Sequence, residues 1–232
     1  MSLFHIIVIL TGVIVLTIST IFSYKKFFLR KDEQPFHIRY FFIIPFLAAL
    51  ISYMQLYSIS QRVFFQVRFS TLQYEQIYIV LNYMVWTLFF ITYFYSNKFK
   101  KSLVLCILIG SLGVLIGFVK FDILSFHVTV HGVFCTIFCI FSLMYFYNLF
   151  YKDPLLELKS EPMFWICMGL LFSSAVTIPI YIASKFMIEN DMEDEIRILF
   201  PFTNILIILM HCMFIKAALC STHIRRPSLS SL

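Results

Sequence analysis

Four residues with metal-binding side chains recur at regular spacing in one apolar segment of the chain. His127, His131, Cys135 and Cys139 follow one another every four residues, so they share one face of a helix. Imidazole and thiolate groups are ligands of zinc and copper. The four positions climb about 18 Å along the helix axis at ~1.5 Å per residue, so at most two neighbours reach one ion. The spacing favours packing over a metal site, with His127 and His131 as the remaining metal candidates, and no cofactor is expected.

Recognisable catalytic motifs are missing from the sequence. There is no H-E-x-x-H, no Gly-rich phosphate loop, no G-x-S-x-G and no pair of aspartates within an apolar segment. Ser173 or Ser174 could pair with His211 as a nucleophile and its base, but residues on separate helices of unknown register give no specific signal. The sequence therefore favours a protein without catalytic activity.

The elements that position these residues are membrane helices. The chain has 232 residues, of which 61% are hydrophobic and 13% charged, whereas soluble domains average ~45–50% and ~25%. A membrane-spanning helix needs ~20 mostly apolar residues. We predict an all-α polytopic membrane protein, a seven-transmembrane-helix bundle within residues 1–220 followed by a short cytoplasmic tail, residues 221–232. The seven predicted helices cover about residues 3–23, 40–57, 77–95, 103–119, 126–150, 163–183 and 198–219.

The distribution of basic residues predicts the orientation of the bundle. Thirteen of the 18 Lys and Arg residues lie after the first, third and fifth predicted helices or in the C-terminal region. Because basic segments are retained in the cytoplasm, the N-terminus is expected outside and the C-terminus inside. The net charge of +6 then attracts anionic lipid headgroups. Nucleic acid is not an expected partner, since no basic helix stands outside the membrane.

Five polar residues are predicted at similar depth in the outer half of the membrane, each on a different helix. Polar side chains at such depth are costly and often mark functional sites. They suggest a ligand-binding cavity that opens to the outside. The alternative is that the five side chains satisfy one another as interhelical hydrogen bonds. The residues are Gln55, Asn82, His131, Thr177 and Asn204.

Small residues and prolines mark close packing and hinge points. Gly113 and Gly117 form a G-x-x-x-G pair on the fourth predicted helix, which lets a second backbone approach closely. The partner is another helix of the same bundle or, alternatively, a second copy in a homo-oligomer. Gly169 and Pro179 weaken the sixth predicted helix, because proline removes one backbone hydrogen bond and bends the helix.

The run from Glu161 to Leu171, EPMFWICMGLL, resembles a segment of small bacterial seven-helix membrane proteins of the Bacteroidetes type. The Tyr- and Phe-rich end of the third predicted helix, a basic third loop and Asn204 in the last helix extend the similarity over most of the chain. The activity of that family is unassigned, and its members are often encoded beside sensor histidine kinases. The resemblance implies a seven-helix fold in the bacterial inner membrane and a histidine kinase, or another membrane protein, as partner.

The leading functional hypothesis is a non-catalytic sensor or adaptor for signal transduction. Its outer cavity would perceive a small molecule or membrane lipid, and its basic inner loops would contact the partner. The first alternative is a small transporter or an intramembrane lipid-handling enzyme, which needs a polar path through both halves of the membrane. The second is an obligate structural subunit of a membrane complex.

Overall fold

The described part of the chain consists of long α-helices. The computed structural model describes residues 3–28, 41–65, 72–94, 110, 123–152, 158–190 and 192–220, and these contain no β-strand. A π-helical turn, Tyr24–Phe28, extends the first helix, and a 3₁₀ turn, Leu158–Ser160, precedes the fifth. The long helices within the described ranges are α1 (Leu3–Ser23), α2 (Ile43–Phe65), α3 (Leu72–Phe94), α4 (Ile123–Lys152), α5 (Pro162–Glu189) and α6 (Glu193–Leu219).

The helices are those of a multi-pass membrane protein. Within the described residues, four stretches are long and apolar enough to cross a membrane: Ile6–Phe28, Val128–Tyr151, Pro162–Glu189 and Pro201–Leu219. A shorter apolar helix covers Ile43–Tyr57. Several large apolar side chains on the outside of the bundle are more than half exposed, among them Ile14, Leu88 and Leu143. Exposed apolar surface of this extent is stable in lipid and unfavourable in water.

The predicted spans agree with the described helices in order and differ in length. The first predicted helix, 3–23, coincides with α1, whereas α2 continues to Phe65 and α5 to Glu189. Helices extend beyond their apolar cores because backbone hydrogen bonding continues through polar residues at the membrane surface. The fourth predicted helix, 103–119, lies outside the described residues except for Gly110, which is helical and buried. The count of seven helices and the orientation therefore stay predictions.

The six described helices form a closed ring in chain order. Each contacts the next, and α6 contacts α1. The α1–α2 and α2–α3 pairs are antiparallel. Phe41, just before α2, contacts Phe27 after α1 and Phe89 near the end of α3. Further along α2, the Tyr53 hydroxyl lies 3.0 Å from that of Thr17, in the middle of α1.

Helices α3 and α4 run in the same direction. The ring of Tyr83 stacks on Phe134 at a centroid distance of 4.0 Å, and Tyr93 contacts Tyr145 at 5.7 Å. The contacts therefore advance together along both helices. Helices α4 and α5 are antiparallel. Phe146, near the end of α4, contacts Phe164 at the start of α5, whereas His131, near the start of α4, contacts Tyr181 near the end of α5.

Helices α5 and α6 are also antiparallel. Lys216, near the end of α6, lies over Trp165 at the start of α5, and Met210 contacts Ser173. The bundle thus has two distinct ends. We call the end with Lys25, Lys26 and Lys216 the basic end, and the end where α5 stops and α6 begins, at Glu189–Glu195, the acidic end.

An aromatic cluster fills the half of the ring nearer the basic end. Trp86 on α3 is buried, and its ring lies within 6.0 Å of the rings of Phe41, Phe138 and Phe214, which come from three different parts of the chain. Aromatic pairs at such distances add ~0.5–1.5 kcal/mol each to the gain from burial. This cluster joins α3, α4 and α6 across the centre of the ring.

Candidate functional site

Helix register places most of the five predicted polar residues near one level, in the half of the bundle towards the acidic end. Asn82 precedes Tyr83, which stacks on Phe134, so Asn82 is level with residue 133 of α4. His131 is two residues from that level, or about 3 Å at ~1.5 Å per residue. The His131 ring contacts Tyr181 on α5 at 4.9 Å. Sequence reasoning did not single out Tyr181, because an aromatic residue in an apolar helix carries no distinguishing signal.

Thr177 and Asn204 lie near the same level on α5 and α6. Thr177 is buried one turn from Tyr181, on the same side of α5. The contact between Ser173 and Met210 sets the α5–α6 register, which places Thr177 level with residues 205–206. Asn204 is half-buried and shares the face of His211, which contacts α1. The structure therefore directs Asn204 towards α1, away from the α4–α5 pair.

Two members of the polar set differ from the rest. Gln55 is half-buried on α2, two residues beyond the Tyr53 that contacts Thr17 on α1. Asn82 carries a buried carbonyl oxygen, Oδ1, for which the described residues supply no hydrogen-bond partner. Asn82 also lies one turn from Trp86 on the same side of α3. Its polar group is therefore held directly beside the aromatic cluster.

The histidine–cysteine stripe of α4 packs against α5. His131 contacts Tyr181, and Cys135 is buried on the same side. The side chain of His127 lies outside the described part, and so do Gly113 and Gly117. Within the described ranges no group of three His, Cys, Asp or Glu residues could hold a metal ion.

The histidine deepest in the bundle pairs with a serine that sequence reasoning did not consider. His211 is fully buried, and its Nδ1 lies 3.4 Å from the Ser19 hydroxyl oxygen on α1. Ser173 instead donates to the Leu170 carbonyl oxygen and contacts the Met210 sulfur, both at 3.2 Å. The hypothesis that His211 pairs with Ser173 or Ser174 is therefore wrong in this structure, because α6 turns the histidine towards α1 and Ser174 hydrogen-bonds with Cys135.

Gly169 is a point of close helix contact. A Cβ at this position would lie 3.1 Å from the Met213 Cβ and 3.2 Å from the Met210 carbonyl oxygen on α6. A side chain fits here only if α6 gives way by a few tenths of an ångström, so the glycine permits the close approach of the two helices. Pro179, further along α5, is exposed, and the helix continues through it to Glu189.

A second group of polar residues, missed by sequence reasoning, lies at the basic end. Glu161 is half-buried just before α5, and burial raises its pKa above the ordinary value for glutamate. Trp165 lies one turn further on, with the Lys216 amine 5.8 Å from its ring centroid. Helices that are far apart in the sequence bring the groups together, so no local pattern reveals them. The titratable residues that interact electrostatically within this group, or with Cys220 at its edge, are Lys26, Tyr93, Tyr145, Glu161, Cys167, Lys216 and Cys220.

Comparison with known proteins gives no relative from which a role could be transferred. No protein-family model, no curated protein and no solved structure matches the chain. The class of protein is defined by the fold alone, a helical multi-pass membrane protein.

Proposed function

We propose that the chain crosses the membrane seven times, with residues 103–119 as the crossing between α3 and α4. Because α3 and α4 run in the same direction, the chain has to return from the basic end to the acidic end within residues 95–122. Only a helix or a closed barrel can cross lipid with its backbone groups satisfied. Gly110 supports this path, since it is helical and packs between Tyr83 of α3 and Ile137 of α4.

The basic end would face the cytoplasm of a bacterial inner membrane. Lys25, Lys26 and Lys216 belong to this end, and basic residues are retained on the inner side. With seven crossings the N-terminus lies outside and the C-terminus inside. A green fluorescent protein fused to the C-terminus should therefore fluoresce. A fusion that is expressed at a normal level but does not fluoresce would indicate the opposite orientation.

We infer that the protein is a non-catalytic sensor or adaptor. The polar residues near one level would receive a small molecule or lipid from the outer side, and a separate membrane protein would carry the response. The single observation that carries this proposal is the aromatic cluster around Trp86, directly below Asn82. A ligand bound at the polar level would press on Trp86, which contacts Phe138 of α4 and Phe214 of α6.

The aromatic cluster weakens the alternative of a transporter or lipid-handling enzyme. Such a protein needs a polar path from the outer level to His211, whereas the ring of His211 packs against Phe214 of the cluster. An obligate subunit of a larger complex is compatible with the same packing. The resemblance of Glu161–Leu171 favours a sensor histidine kinase as the partner of either a sensor or a subunit.

The first experiment is mild-detergent purification of the tagged protein, followed by mass spectrometry of the proteins and lipids that accompany it. A stoichiometric kinase or other membrane protein supports the sensor or adaptor role. A protein that purifies alone with a bound small molecule or lipid favours the alternative of a transporter or lipid-handling enzyme.

The second experiment tests the outer site within that complex. Asn82→Ala and His131→Ala should abolish the partner's response while leaving the complex intact. Met84→Ala and Thr136→Ala are matched controls, because these residues are exposed on the same two helices. A full response in Asn82→Ala, His131→Ala and Asn204→Ala would remove the outer site from the proposal.

A further inference from the structure

Three lysines occupy one corner of the basic end, at the depth of the lipid headgroups. Lys25 and Lys26 lie in the π-helical turn at the end of the apolar stretch Ile6–Phe28. Lys216 lies in the last turn of α6, near the end of the apolar stretch Pro201–Leu219. A stretch that crosses the hydrocarbon core brings its last residues to the headgroup region. The three amines therefore lie near the level of the lipid phosphates.

Helices α1 and α6 lie side by side and run in the same direction. A Cβ at Gly12 would lie 3.8 Å from the Ile208 side chain. Further along both helices, the Ser19 hydroxyl oxygen lies 3.4 Å from Nδ1 of His211. Because these contacts advance together towards the basic end, the last turns of the two helices are neighbours there, and the π-helical turn contacts α6 directly.

The register of this helix pair places one lysine of each helix at nearly the same level. Lys26 lies seven residues beyond Ser19. Lys216 lies five residues beyond His211, so the levels of the two lysines differ by about 3 Å at ~1.5 Å per residue. Both lysines also act electrostatically on Cys220, at the end of α6. The two amines can therefore converge on one anion, because lysine side chains are long and flexible.

Trp165, at the start of α5, flanks the same corner. The Lys216 amine lies 5.8 Å from the centroid of the Trp165 ring. A lysine over an aromatic face keeps N–H donors free for a second partner, and tryptophan is enriched at the level of the lipid headgroups. From Trp165 towards the middle of the bundle, α5 carries the exposed apolar side chains of Met168, Phe172 and Val176. An acyl chain can therefore lie along α5 below a headgroup that Lys216 holds.

We propose that Lys26 and Lys216 bind the phosphate of an anionic phospholipid of the phosphatidylglycerol type, where α1 and α6 end and α5 begins. Two ammonium groups on neighbouring helices supply charge-assisted hydrogen bonds to one phosphodiester. Glu161, one turn before Trp165, brings one opposing charge to this corner, fewer than the lysines supply. A zwitterionic headgroup would add a further ammonium beside the lysines, so the site favours a lipid with a net negative charge.

The test uses the purified, delipidated full-length protein and native mass spectrometry. The probes are phosphatidylglycerol and phosphatidylcholine with identical acyl chains, and soluble glycerol phosphate. Wild-type protein should retain phosphatidylglycerol in preference to phosphatidylcholine. Lys26→Gln and Lys216→Gln should each lower that preference about ten-fold, the effect of losing one charge-assisted hydrogen bond.

Two control variants remove a lysine charge elsewhere. Lys25→Gln alters the exposed neighbour of the half-buried Lys26, and Lys185→Gln alters an exposed lysine of α5 near the acidic end. Both should keep the wild-type preference, and thermal unfolding checks that every variant is folded.

Three results would overturn the proposal. An equal loss of preference in Lys25→Gln and Lys26→Gln would show a diffuse attraction to the basic end in place of a defined site. An unchanged preference in folded Lys216→Gln would leave this lysine only the role of stabilising the C-terminal end of α6. Glycerol phosphate binding as tightly as phosphatidylglycerol would make a soluble phosphate, and not a lipid, the occupant.

Discussion

Gly169 sets the separation of α5 and α6, and Gly169→Ala should weaken the bundle. The added Cβ would meet the Met213 Cβ at 3.1 Å and the Met210 carbonyl oxygen at 3.2 Å. Both atoms are fixed to the backbone of α6, so neither can rotate away. The two helices would have to move apart by a few tenths of an ångström, which loosens the contacts on both sides of the glycine.

Two other glycines supply matched controls for the magnitude. A Cβ at Gly132 would lie 3.7 Å from the Tyr181 Cβ, and one at Gly12 would lie 3.8 Å from Ile208, which are ordinary contact distances. All three Gly→Ala changes gain the helix propensity of alanine, ~1 kcal/mol. The difference between Gly169→Ala and the controls therefore isolates overpacking, which costs ~1–3 kcal/mol.

Thermal unfolding in detergent, followed with a maleimide dye that fluoresces on reaction with thiols, measures this difference. Cys167 on α5 is fully buried and reacts only when the bundle opens. Each kcal/mol lowers the Tm of a chain of this size by ~2–4 °C, so Gly169→Ala should unfold about 2–12 °C below the two controls. If Gly169→Ala has the same Tm as the two controls, the close contact is refuted. If the Tm falls equally in all three Gly→Ala variants, the loss of stability comes from replacing a flexible glycine and not from overpacking.

Three further predictions follow from the same packing. Trp86→Ala should lower the free energy of unfolding by ~3–5 kcal/mol, because it leaves a cavity in the aromatic cluster. Leu88→Ala, on the exposed side of α3, should unfold near the wild-type temperature. Similar losses of stability in both variants would show that the cluster is not a main source of stability. Gly110→Ala should strongly destabilise the bundle, because its Cβ would overlap the Tyr83 ring. In a double-mutant cycle, Tyr83→Ala should restore ~0.5–3 kcal/mol of the stability that Gly110→Ala removes. Strictly additive effects of the two changes would argue against the contact. Burial raises the pKa of Glu161, so its contribution to stability is complete below the ordinary glutamate pKa and is lost as pH rises through the raised value. Glu161→Gln should therefore make the free energy of unfolding less dependent on pH between acidic and neutral conditions. An unchanged pH dependence in this variant would exclude Glu161 as its source.

The sequence by itself determined the class of the molecule and the approximate position of its helices. Hydropathy and charge are local properties, because a segment that crosses lipid must be apolar over its own length whatever surrounds it. The first predicted helix therefore coincides with α1, and five others overlap described helices. Their ends were predicted less well, since polar residues such as those near Phe65 and Glu189 continue a helix at the membrane surface.

Only the tertiary structure decided which polar groups meet. Ser19 and His211 are 192 positions apart, and their pairing depends on the rotation of α1 and α6 about their axes. Lys216 and Trp165 likewise meet, with the amine 5.8 Å from the ring centroid, only through the packing of α5 against α6 at the basic end. Helical periodicity shows which residues share a face but not which face meets a given neighbour, because that choice follows from side-chain packing over the whole ring.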